Sequence, residues 1–155
     1  MDNKNIDIVK NRFHSSSDKT IQMQLKRGNI THLLQQICIY NDTDNSLIID
    51  CNYIKSVLTK QLYSTIIDII TSHLDNILTT NNVFNIHINI PRISLRYIDS
   101  HRTFIYETAA IFKDRYPNKM GVCYLYNTSS IFSCIYKIIS FAIDKETKQK
   151  IRIIE

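Results

Sequence analysis

From residue 83 to residue 154 the sequence alternates strand-like and helix-like hydrophobic patterns, and this alternation restricts the fold more than any other feature. Residues 83–90 place Phe84, Ile86, Ile88 and Ile90 on one side and Asn85, His87 and Asn89 on the other. That is the period of two of a pleated strand, and Pro91 ends it. A helical stretch then runs from Asp99, read as an N-cap, to Tyr116, with Phe104, Ile105, Thr108, Ala109 and Phe112 facing inward. Pro117 biases Tyr116 away from helical geometry and stops the helix; Gly121 tolerates the turn back into a strand. Residues 122–126 form a short apolar run of strand formers, and Asn127, Thr128, Ser129 and Ser130 offer capping side chains. From Ile131 onward Ile135, Ile138, Ile139 and Ala142 recur at spacings of three and four, a helix with one apolar side. A final strand covers residues 150–154. Such a βαβ succession implies an α/β fold, a mostly parallel sheet with helices packed on it.

Upstream the signals are less regular. Residues 1–18 are polar, contain Ser15, Ser16 and Ser17, and sustain no period, so a flexible tail or a loosely docked first helix is expected. A short helix to Arg27 would stop at Gly28. Residues 33–40 and 47–51 read as two strands joined by a polar turn at residues 41–45, and residues 52–80 as one long helix. Ile54, Leu58, Leu62, Ile66, Ile69 and Leu74 belong to its apolar face. At 155 residues the chain is expected to form one domain over residues 19–155.

Several chemistries lack their residues. Only Gly28 and Gly121 are glycines, so no phosphate-cradling glycine loop can form, and no G-x-S-x-G elbow presents a serine nucleophile. His14, His32, His73, His87 and His101 show no zinc-ligand spacing; His87 on its strand reads as a hydrogen-bonded interior histidine. The carboxylates Asp99, Glu107 and Asp114 fall along one helix with basic neighbours, the pattern of a solvated face. Cys38, Cys51, Cys123 and Cys134 form no C-x-x-C pair and read as free thiols. No apolar run approaches eighteen residues and the first residues lack a signal-peptide core, which reads as a soluble, cytoplasmic protein. The net charge of +5 favours an anionic partner. Arg92, Arg96, Arg102, Arg115 and Lys119 are the candidates for peripheral contact with an anionic membrane. No nucleic-acid-binding pattern accompanies the charge, so nucleic acid is not expected.

The order of elements after residue 113 resembles a CRAL-TRIO domain. In that family a helix ends in Tyr-Pro-Glu, and a short strand runs into Asn-Ala-Pro. An aromatic-rich helix follows, and a Pro-Phe-Leu-Asp gate leads through Thr-x-x-Lys-Ile to another strand. The corresponding residues here are Tyr116-Pro117-Asn118, residues 122–126, Asn127-Thr128-Ser129, residues 131–139, Ser140-Phe141-Ala142-Ile143-Asp144, and Thr147 to Ile151. The resemblance implies a non-enzymatic α/β module that holds a lipid or other small hydrophobic molecule between the sheet and a mobile gate, here residues 141–150. It assigns the pocket to Phe84, Ile86, Ile88, Tyr124, Tyr126, Phe132 and Phe141, with no cofactor. Members that bind phosphatidylinositol place hydroxyl residues on the third strand and a glutamate after the proline. This chain has Phe84, Ile86 and Asn118 there, so a specific phosphoinositide site is not expected. The family also continues past Ile154 with a closing segment, and without it part of the cage would be open. The alternative is a collapsed pocket, with the fold kept as a protein-interaction module.

Overall fold

The computed structural model describes residues 3–15 and 18–155. Helices α1 (Asn3–Ser15), α2 (Asp18–Lys26) and α3 (Ile30–Gln36) precede a hairpin of β1 (Cys38–Asn41) and β2 (Ser46–Asp50). Next come α4 (Cys51–Val57), a 3-10 turn at Lys60–Leu62, α5 (Tyr63–Leu78), β3 (Phe84–Asn89), α6 (Leu95–Ser100) and α7 (Arg102–Arg115). The chain continues through β4 (Met120–Tyr126), α8 (Phe132–Ile139), a 3-10 turn at Ser140–Ala142, α9 (Lys145–Gln149) and β5 (Ile151–Ile154). The strands lie side by side in chain order. β1 and β2 are antiparallel, and β2 to β5 are parallel, as the βαβ pattern requires.

Local chemistry explains most of the punctuation. Gly28 ends α2 at φ 73°, and the Gly28 and Asn29 amides close the helix onto the Leu25 and Gln24 carbonyls. Asn45 and Asn118 take the left-handed region in their turns, and Asn127 does so at the end of β4. One glycine is required by close approach. β4 carries one more residue than β3 between the pairs Phe84–Met120 and Ile86–Cys123, a bulge. The Asn85 Oδ1 accepts the Val122 amide at 2.9 Å across it. A Cβ on Gly121 would stand 2.5 Å from that oxygen.

Four expectations are corrected. Residues 33–36 are helical, because Leu33 and Ile37, four apart, bury one side of α3 completely before β1 begins at Cys38. The long helix is broken at Leu58, whose backbone is extended; α4 has its own cap, the Asp50 carboxylate accepting from the Asn52 amide at 3.0 Å. Asp99 lies inside α6, which is capped instead by Ser94, its hydroxyl accepting from the Tyr97 amide at 3.1 Å. No side chain of residues 127–130 caps α8, whose first turn closes by backbone bonding, Phe132 amide to Ser129 carbonyl at 2.9 Å.

Of the two expectations for the N-terminal region, a tail or a docked first helix, residues 3–15 take the second. Met1, Asp2, Ser16 and Ser17 lie outside the described residues, but α1 is a helix that buries Val9 and Phe13 against Ile48, Tyr124 and Tyr126. The Phe13 ring meets Tyr126 edge-on at 5.1 Å. The Lys10 ammonium donates to the Glu155 carbonyl. The sheet is thus covered on both sides. On the α1 side runs a polar row, and on the other the main core of Leu33, Leu47, Ile66, Leu74 and Ile86 under α3 and α5.

Candidate functional site

On the side away from α1 the sheet does not meet its helices everywhere. A cavity of about 320 Å³ separates β3, β4 and β5 from α7 and α8. Its floor is Ile86, Ile88 and Ile90 with Cys123, Leu125 and Ile151, side chains that the pleat brings to one face. Its roof is Phe104, Ile105, Thr108, Ala109 and Phe112 of α7 with Phe132, Ile135 and Ile139 beyond. α8 has no buried residue although Ile135 and Ile139 face the protein. The hollow beneath it is the reason. Ile54 and Leu58, with Pro91, Ile93 and Tyr97, close one flank, and Ala142, Ile143 and Thr147 another.

The walls offer little polarity. The Thr108 hydroxyl turns back to donate to the Phe104 carbonyl at 2.7 Å. His101 Nδ1 is occupied by the Tyr63 hydroxyl at 2.8 Å, and burial pushes the ring below its ordinary value, so it is neutral at pH 7. Burial pushes the Cys123 thiol up to about 12 and the Cys51 thiol and Tyr97 phenol higher still, which keeps these groups protonated and the sulfurs poor nucleophiles. Lys55 of α4 is the one charged side chain among the lining residues; its ammonium donates to the Arg92 carbonyl at 2.7 Å. Among the described residues no group of three or more His, Cys, Asp or Glu could hold a metal ion, and no helix is long and apolar enough to cross a membrane. What such walls can do is hold an apolar body.

The residues expected in the pocket divide. Ile86, Ile88 and Phe132 line it. Phe84 shares the face of Ile86 but packs edge-on against Tyr116 at 5.6 Å, buried in the core below the end of α7. Tyr124 and Tyr126 point to the opposite side, toward α1: in β4 alternate residues face alternate sides, and Cys123 and Leu125 take the cavity side. Phe141 is 38% exposed and stacks on Tyr106 at 4.5 Å on the outer surface. Its neighbours Ala142 and Ile143 turn inward instead, so the segment 141–150 does wall the cavity, but not through its aromatic ring.

On the α1 face the tyrosines join a buried polar network. His87 is fully buried, stacks on Tyr124 at 4.8 Å, and its Nδ1 lies 2.7 Å from the Tyr126 hydroxyl. Its Nε2 lies 3.3 Å from the Asp44 carboxylate. A carboxylate only accepts, so Nε2 carries the proton and Nδ1 accepts from Tyr126. Burial pushes the His87 ring down and Asp44 opposes this in part. Asn89 completes the row, donating to Asp50 at 2.9 Å and accepting from Asn127 at 2.7 Å. The network ties strands together and touches no cavity wall.

The basic residues do not form one patch. Arg92, Arg96 and Arg102 are exposed on the stretch that follows β3, where the Arg92 carbonyl accepts from the Lys55 ammonium. Arg115 and Lys119 are exposed at the far end of α7, whose 14 residues span about 20 Å. Arg115 is paired there with Asp75. Lys55, Tyr97 and His101 were not anticipated as lining residues. The α7 face was anticipated, as core.

The model of the CRAL/TRIO domain matches residues 36–155. Among solved structures, the crystal structure of Sfh5 matches with a TM-score of 0.63 at 17% identity, over 77% of this chain and 47% of that one. This likeness concerns the fold, and the chain spans about half the length of the protein it matches. Comparison with curated proteins finds no match. With a βαβ sheet that carries an apolar hollow under its last helices, and a family match from the end of α3 through β5, the chain belongs to the CRAL/TRIO domain family, a family of lipid-binding domains.

Proposed function

We propose that this domain binds a small hydrophobic molecule non-covalently, in the cavity beneath α7 and α8, and performs no chemical step on it. The observation that carries this reading is the open apolar hollow of about 320 Å³, at the lower end of the range for ligand sites. A packed core leaves few voids larger than a water molecule, so a hollow of this size is a feature to be filled. The same observation disfavours the alternative of a collapsed pocket retained for protein interaction.

An inositol headgroup is not part of the reading. Phe84 and Ile86 carry no hydrogen-bonding group, and Asn118 sits in an exposed turn away from the cavity. Selectivity for a polar head needs such groups in place. Contact with a membrane would be electrostatic, through Arg92, Arg96 and Arg102. Native mass spectrometry of purified protein tests the proposal: a discrete mass increment that is removed by organic extraction is expected. Protein that carries no increment and also fails to bind N-phenyl-1-naphthylamine, a neutral fluorescent probe, would overturn it.

A further inference from the structure

We infer that the ligand is a single-chain amphiphile with an anionic head, its tail between the sheet and α7 and its head at the Lys55 ammonium. The inference rests on the reading of the cavity as a lipid site. Volume gives the first argument. At ~10–15 Å³ of open space per water-sized body, the hollow of about 320 Å³ has room for roughly 20–30 heavy atoms. One hydrocarbon tail fits, and the two tails of a diacyl lipid do not.

Charge gives the second. No residue lining the cavity is acidic, and Lys55 is cationic. Its side chain is half-buried, with the stem along the apolar wall beside Ile54 and Leu58 and the ammonium at the carboxyl end of β3. One of its three N–H groups goes to the Arg92 carbonyl, and among the described residues it pairs with no carboxylate. A cation with no carboxylate partner at the edge of an apolar hollow selects an amphiphile whose own head supplies the negative charge. A lysine acts as a point charge and serves carboxylate and phosphate heads alike.

Displacement of N-phenyl-1-naphthylamine by decanoate, decyl phosphate and decanol tests this. Either anion should bind about tenfold more tightly than decanol, the scale of one hydrogen bond to a charged group. The head preferred tells carboxylate from phosphate sources. Lys55→Gln should remove that advantage and leave decanol unchanged, Lys55→Arg should restore it, and rising salt should weaken only the anions. If decanol binds as tightly as the anions, or the anions are indifferent to Lys55→Gln in protein whose circular dichroism is unaltered, the inference is wrong while the cavity reading stands. Should the Gln variant misfold, salt-independent binding of decanoate to the wild-type chain overturns it equally. Failure of the neutral probe to bind at all would remove both.

Discussion

Replacing Ala109 by phenylalanine places a ring in the hollow from the middle of α7, and its effect can be worked out from the structure. Ala109 lines the cavity and is half-buried. A phenyl group fills about 90 Å³, which at ~24 cal/mol per Å³ of cavity corresponds to about 2 kcal/mol of stabilisation. Against this stand about 0.5 kcal/mol of lost helix propensity and a similar loss of side-chain freedom. A net gain of about 1 kcal/mol remains, or roughly 2–4 °C in melting temperature for a chain of this size. Thermal denaturation with and without decanoate reads both halves of the expectation. The unliganded Ala109→Phe protein melts above wild type, and it loses the ligand-induced rise, which for wild type reaches ~2.7 kcal/mol at a hundredfold excess over Kd. A variant that melts lower and still responds to ligand would show that the space over Ile88 and Leu125 is not an open binding cavity, and the argument would fall.

Two further outcomes follow from the other face and from the bulge. The native His87 ring is held below the ordinary 6.5 by burial, so unfolding takes up a proton once the pH falls below about 6.5. Stability should therefore decline from there downward and level off when the native ring itself protonates. Urea titrations across pH 5–7 should show a shallower decline for His87→Gln, with His101 supplying the residual slope, and a general loss of about 1–3 kcal/mol as the buried Tyr126 hydroxyl loses its acceptor. Equal slopes in both proteins would refute the assignment. Gly121→Ala should cost about 1–3 kcal/mol, because its Cβ displaces the Asn85 oxygen and leaves the Val122 amide unbonded. Hydrogen exchange faster at Val122 than at Leu125 in that variant is the local signature, and an unchanged Val122 rate would contradict it.

Much of the fold was legible where one physical preference stood alone. The alternation in β3, the proline after Tyr116 and the helical face of α7 each have a single reading, and the structure has all three. The face of β4 was not legible, since both its sides are apolar: Cys123 and Leu125 on one, Val122, Tyr124 and Tyr126 on the other. Aromatic rings suggested the pocket, yet rings fill space, and it is the smaller residues that leave a hollow. The same holds for Ala109 and Ala142. The helix of residues 30–36 was hidden because short apolar runs fit helix and strand equally, and the break at Leu58 because no proline or glycine marks it. Lys55 was invisible as a lining residue, because a lysine on an amphipathic helix reads as solvated until the loop at Arg92 is placed against it.

The docking of α1 has a consequence for the order in which the domain is completed during synthesis. Its partners Tyr124 and Tyr126 lie in β4, and the carbonyl that Lys10 reaches lies beyond β5. The helix emerges from the ribosome well before any of these, and must wait for them through a loop closure that spans nearly the whole domain. During that interval Asn85, His87 and Asn89 are hydrated and His87 lacks the Tyr126 hydroxyl. A helix made before the sheet is thus among the last elements to settle, and the nascent chain passes through a stage in which the sheet has one bare face.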